Sequence, residues 1–84
     1  MHKYRIELIT GRDMTEFVQI VTPLQGEIRL TDGHGMCVNA KSILGAVATV
    51  EWSSLYCLSE NEIGSHIARF CTEEPEDMPE TAEL

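Results

Sequence analysis

Basic residues are scarce in this sequence, which has six lysines and arginines against fourteen acids and a formal net charge of −8. An acidic chain repels phosphate backbones and offers no basic stripe, so nucleic-acid binding is not expected. Six of the acids fall in residues 73–84, which contain two prolines and no basic residue. Such a stretch buries too little apolar area to offset its ordering entropy. We therefore predict one domain over residues 1–72 and a flexible acidic tail over 73–84.

Long apolar runs are also missing. No stretch approaches the roughly 18 apolar residues that a membrane-spanning helix needs. The opening MHKYRIELIT lacks the apolar segment of a secretory signal. We expect a cytoplasmic protein without membrane insertion.

Cysteine and histidine are too few and too dispersed to predict a disulfide framework or a metal site. The cysteine count is odd and no C-x-x-C pair occurs, which argues against both kinds of site. No nucleophile lies beside a base in the sequence. We therefore assign no catalytic residue, metal or cofactor, and do not expect the chain to be an enzyme. The residues concerned are Cys37, Cys57, Cys71, His2, His34 and His66.

The first half of the chain has clear periodic patterns. Residues 3–9 alternate apolar and charged side chains, which predicts a half-buried strand. Apolar residues then recur with helical spacing from Met14 to Val21, and Asp13 followed by Glu16 resembles a capping box, so a helix should start at Met14. The alternation in residues 26–39 and the Asp32-Gly33 turn signal predict a hairpin.

The second half predicts a short helix, a strand and a final helix. The short helix covers residues 41–48, and Gly45 inside it needs a packing reason because glycine costs up to about 1 kcal/mol there. Residues 55–58 form the fourth strand. A capping box of Ser59 and Glu62 starts the last helix, which ends near Thr72. The fold class is α+β, an open-faced sandwich in which three helices cover one face of a four-stranded antiparallel sheet in the order βαββαβα.

The element order, the chain length and the stretch Val38–Gly45, VNAKSILG, resemble the histidine-containing phosphocarrier protein (HPr) of the bacterial sugar phosphotransferase system. In that family a histidine at the start of the first helix carries phosphate from Enzyme I to sugar permeases. The matching stretch here, LITGRDMTEF, has neither that histidine nor the proline that follows it. Asp13 and Glu16 stand where the phosphate would lie and would repel it. The resemblance thus implies the HPr scaffold without phosphohistidine transfer.

Ser42 matches the serine that a kinase phosphorylates in this family, after which a transcriptional regulator binds. An ordinary helix cap is the preferred interpretation of this serine, and Asn39 could be the cap instead. The resemblance also makes Ile43, Leu44 and Val47 candidate partner-binding residues. Ordinary core packing is the alternative for all three, and for Val47 it is the preferred one.

Two functions follow from these observations. The first is an HPr-like regulatory or partner-binding module, modified at Ser42, whose implied partners are an Enzyme I-like protein, a serine kinase or a transcriptional regulator. The second is a structural or assembly module on the same scaffold with no link to sugar transport.

Overall fold

A computed structural model describes residues 1–72, and the acidic tail predicted over residues 73–84 lies outside the described residues. The elements in chain order are a strand β1, helix α1, strands β2 and β3, helix α2, strand β4 and helix α3. Their bounds are β1 His2–Arg5, α1 Gly11–Val21, β2 Ile28–Thr31, β3 Cys37–Asn39, α2 Ile43–Ala48, β4 Tyr56–Ser59 and α3 Gly64–Ile67. Two 3₁₀ turns, Thr49–Glu51 and Ala68–Phe70, follow α2 and α3.

The strands form one antiparallel sheet in the spatial order β1, β4, β2, β3. The α+β class and the four-stranded antiparallel sheet are therefore confirmed. No helix within residues 1–72 has the length and apolar character needed to cross a bilayer.

The two faces of the sheet differ sharply in burial. Ile28, Leu30 and Cys57 are buried and belong to the hydrophobic core, together with Phe17 of α1. Alternate residues point to the other side, because successive strand residues face opposite ways. We call that other side the open face, and its central residues are Lys3, Arg5, Arg29, Tyr56 and Leu58.

Helix α1 begins three residues earlier than predicted. Its N-cap is Thr10, whose side chain accepts from the Asp13 amide, while the Asp13 side chain accepts from the Thr10 amide. The predicted capping box of Asp13 and Glu16 is therefore wrong, and Glu16 instead pairs with Arg12 one turn away. The helix ends at Val21, close to Pro23 as expected.

The predicted long final helix is also wrong. Ser59 is the last residue of β4 and its hydroxyl accepts from the Asn61 amide. The Glu62 carboxylate accepts from the Gly64 amide rather than turning back to Ser59. Helix α3 is a single turn, and the 3₁₀ turn after it ends at Phe70.

The residues after α3 return to the outer edge of β1. Cys71 forms an antiparallel bridge with Ile6. The Glu7 amide donates to the Phe70 carbonyl at 2.9 Å, and the Thr72 amide donates to the Arg5 carbonyl at 3.0 Å. The last described residue therefore lies beside β1 at the edge of the sheet.

Candidate functional site

The N-terminus of α1 is the position at which the resemblance would place a phosphate-carrying histidine. Asp13 Oδ2 accepts from the Ile9 amide at 3.0 Å and from the Thr10 amide at 3.2 Å. Thr10 Oγ1 accepts from the Asp13 amide at 3.0 Å. A helix N-terminus attracts anions through its unpaired amides and dipole. Here a carboxylate of the chain itself already lies there.

None of the three histidines lies at this position. His2 is in β1 and stacks on Tyr4, with ring centroids 6.5 Å apart. His34 is in the turn between β2 and β3, where its amide donates to Asp32 Oδ1, and that hydrogen bond lowers the pKa of the Asp32 carboxyl. His66 is in the single turn of α3. The structure places none of them in the first turn of α1.

Ser42 is the N-cap of α2. Its hydroxyl accepts from the Gly45 amide at 3.2 Å, and its carbonyl accepts from the Ala46 amide at 2.9 Å. Asn39 takes another role, since its side-chain oxygen accepts from the Lys41 amide at 2.9 Å. The cap is therefore Ser42 and not Asn39.

Lys41 lies next to Ser42 in sequence, but its ammonium group is held elsewhere. Lys41 Nζ donates to the carbonyls of Leu24 at 2.5 Å and of Gly26 at 3.2 Å. These bonds join the segment before α2 to the loop that enters β2. The ammonium group of Lys41 is thus hydrogen-bonded to backbone carbonyls rather than to Ser42.

Helix α2 turns an apolar surface outward. Leu44 is 79% exposed, Val47 50% and Ile43 43%, whereas the buried residue of α2 is Ala46. We call Ile43, Leu44 and Val47 together the α2 surface. The core interpretation preferred for Val47 is therefore wrong, and the structure gathers the three predicted residues on one exposed helix.

Two further exposed apolar residues were missed by the sequence analysis. Val50 is 63% exposed in the 3₁₀ turn after α2, and Ile9 is 75% exposed just before α1. Both line one cleft of about 230 Å³ together with Trp52. The recurrence of apolar residues every three positions at Leu44, Val47 and Val50 was a signal that could have identified Val50. Ile9 carried no such signal, because it follows a strand pattern.

Gly45 explains how α2 sits so close to the sheet. A Cβ at this position would lie 2.8 Å from the carbonyl oxygen of Asn39 and 3.4 Å from Val38 Cβ. Real Cβ atoms do not approach backbone oxygens this closely, so a side chain here would push α2 away from β3. Gly45 therefore has the packing reason that its helical position required.

The cysteines of the described chain show no sign of a metal site. Within residues 1–72 no three His, Cys, Asp or Glu residues are grouped to hold a metal ion. Cys57 is fully buried, and desolvation raises the pKa of its thiol to about 12. Burial also raises the pKa of Cys71, whereas Cys37 is exposed on β3.

Comparison with known proteins supports an HPr-like scaffold by structural similarity and not by sequence similarity. No protein-family model matches the chain, and no curated protein matches it in sequence. The crystal structure of HPr-C-His from Thermoanaerobacter tengcongensis superposes on it with a TM-score of 0.62 and 22% sequence identity, covering 81% of this chain and 84% of that one. At this identity the likeness is one of fold, and the chain has an HPr-like α+β fold.

Proposed function

We propose that this chain is a protein-binding module on an HPr-like scaffold, and that its partner contacts the α2 surface. The observation that carries the proposal is the exposure of Ile43, Leu44 and Val47 on a helix that buries Ala46 instead. Exposed apolar side chains that are contiguous mark protein-binding surfaces more often than isolated ones do. Val50, three residues after Val47, and Ile9 are also exposed, and both line one cleft.

The proposal includes the loss of phosphohistidine transfer. It is supported by the Asp13 carboxylate, which accepts two amide hydrogen bonds at the N-terminus of α1. A phosphoryl group placed there would meet a carboxylate rather than unpaired amides. The chain then acts by binding, and it is not an enzyme.

Regulation by phosphorylation of Ser42 is the finer part of the proposal. A phosphate near a helix N-terminus is electrostatically favourable. It would also add about −2 charge beside Ile43 and Leu44, which would weaken an apolar contact and favour a basic partner. Lys41 supplies little of the counter-charge, since its ammonium group binds the Leu24 and Gly26 carbonyls.

The partners that we propose are an Enzyme I-like protein, a serine kinase and a transcriptional regulator, in a cytoplasmic setting. The alternative is a structural or assembly module with no link to sugar transport, which would use the same exposed surface.

The experiment has two labelling reactions. In the first, the chain is incubated with Enzyme I and labelled phosphoenolpyruvate, and in the second with the serine kinase and labelled ATP. We expect no acid-labile label in the first reaction and label on Ser42 in the second. Acid-labile label in the first reaction would refute the loss of phosphotransfer. If the second reaction labels the wild type but not Ser42→Ala, the phosphorylated residue is Ser42. Absence of label in both reactions would favour the assembly module.

Binding is tested separately by titrating the ¹⁵N-labelled chain with each purified partner. We expect amide shift changes centred on Ile43, Leu44 and Val47, and Leu44→Gln should weaken binding at least tenfold. Met36→Gln is the matched control, because Met36 is also an exposed apolar residue but lies in the hairpin turn before β3. Equal effects of the two substitutions would contradict the assignment of the α2 surface.

A further inference from the structure

We propose that the acidic residues 73–84 bind the open face of the sheet in the same chain. The proposal does not depend on the function of the α2 surface. That surface belongs to a helix on the core side of the sheet, opposite the open face. It rests on three observations: the charges of the open face, the place where the described chain ends, and the length of chain beyond that place.

The open face concentrates positive charge. The four strands contain no aspartate or glutamate within their bounds, and their three lysines and arginines, Lys3, Arg5 and Arg29, all point to this face. These are half of the six in the chain. Glu27, just before β2, forms an ion pair with Arg29.

Tyr56 makes the centre of the open face amphipathic. The Lys3 ammonium lies 4.5 Å from the centroid of its ring, and the Arg5 guanidinium carbon lies 5.3 Å from it. Leu58, the next residue of β4 on this face, is opposite Lys3 on one side and Arg29 on the other. A face that alternates cations with half-exposed apolar groups suits an acidic segment that also carries a few apolar residues. Residues 73–84 have that composition, with six acids together with Met78 and Leu84.

The described chain ends at the edge of this face. Thr72 donates to the Arg5 carbonyl on the outer edge of β1, in the antiparallel register set by the Ile6–Cys71 bridge. The described chain therefore ends beside the basic side of the sheet, where residues 73–84 begin.

The segment is also long enough to cross the face. Twelve residues span up to roughly 40 Å when extended, whereas four strands spaced about 4.8 Å apart are roughly 14 Å wide between the outermost axes. Tethering also favours this occupant over a free acidic peptide, because a short linker raises the effective concentration to the millimolar range. Contacts between surface charges are screened over about 8 Å at physiological salt, so the association should weaken as salt is added.

The test compares the ¹H–¹⁵N spectra of the full chain with those of a full-length variant whose six acids are neutralised, at 10 and 500 mM NaCl. The substitutions are Glu73→Gln, Glu74→Gln, Glu76→Gln, Asp77→Asn, Glu80→Gln and Glu83→Gln. At low salt we expect amide shift differences concentrated at Lys3, Arg5, Tyr56, Leu58 and Arg29, with the α2 surface unchanged. At high salt these differences should shrink at least threefold.

Two matched substitutions and a dilution series complete the test. Lys3→Gln should remove most of the shift differences, whereas Arg12→Gln, which removes the same charge from an exposed position of α1, should leave them. Tenfold dilution should change nothing. Loss of the differences on dilution would assign the open face to the tail of a second copy and overturn the intramolecular contact. Differences spread evenly over the domain, centred on α2, or absent would overturn the proposal altogether.

Discussion

Substitution of Gly45 by alanine is the most direct test of how α2 is held against β3. Alanine favours a helix interior over glycine by up to about 1 kcal/mol, so helix propensity alone predicts a more stable protein. The structure predicts the opposite, because the new Cβ would lie 2.8 Å from the Asn39 carbonyl oxygen. That oxygen cannot move freely, since it accepts from the Ser42 amide at 3.2 Å.

The expected loss follows from these two opposing effects. Overpacking of a tight site typically costs 1–3 kcal/mol, and against backbone the upper part of that range applies. After the propensity gain, Gly45→Ala should lower the free energy of unfolding by about 1–2 kcal/mol. For a domain of this size, that corresponds to a fall in Tm of about 4–16 °C.

Urea denaturation followed by Trp52 fluorescence and thermal denaturation followed by circular dichroism both measure this loss. Gly11→Ala is the matched control, because Gly11 also lies in a helix and nothing within 4 Å would meet its Cβ. It should leave stability unchanged or raise it by up to about 1 kcal/mol. A Gly45→Ala protein at least as stable as the wild type would refute the close packing of α2 on β3.

Three other perturbations test the cap, the core and a buried thiol. Ser42→Ala should lower the free energy of unfolding by about 1 kcal/mol through loss of the α2 cap, and Ser42→Asp should largely restore it in the same urea titration; no loss with alanine would contradict the cap. Phe17→Ala should cost about 3–5 kcal/mol, seen as a broad, low-temperature transition by circular dichroism, and a Tm within a few degrees of wild type would argue against its central place in the core. Cys57, whose pKa burial raises from 9.0 to about 12, stabilises the fold below pH 9, and that contribution is lost as pH rises toward 12. Iodoacetamide at pH 8 should therefore modify Cys37 and spare Cys57, as peptide mass mapping would show, and equal labelling would be inconsistent with the buried thiol.

The sequence predicts the four strands, although β1 is His2–Arg5 rather than residues 3–9. The alternation of Ile28 and Leu30 with charged neighbours fixes which side of β2 is buried, and the structure buries both. The turn at Asp32-Gly33 requires a residue that tolerates positive φ, and Gly33 has a φ of 82°. These signals are local, so they can be read from the sequence without knowing which strands pair.

Helix boundaries were harder to predict because several local patterns fit the same stretch. Thr10 with Asp13 and Asp13 with Glu16 both have capping-box spacing, and the structure forms the first. The last helix stops after one turn because the chain must return to β1, where Cys71 meets Ile6. That long-range pairing has no local sequence signal.

The exposed site was predictable as a set of residues but not as a surface. Helical spacing places Ile43, Leu44 and Val47 together on α2, but it does not say which side of a six-residue helix meets the core. The structure buries Ala46 and leaves the three larger residues exposed. Hydrophobicity alone favours burying the larger residues, so it predicts the wrong side of this helix.

The two borders of the sheet have a consequence for self-association. Strands with exposed borders invite pairing with foreign chains and so promote aggregation. One border of this sheet is β3, which has just three residues, and the other is occupied along part of its length by the backbone of residues 70–72. An incoming strand would find few consecutive amides and carbonyls to pair with on either side, so this small protein should resist fibril growth even when concentrated.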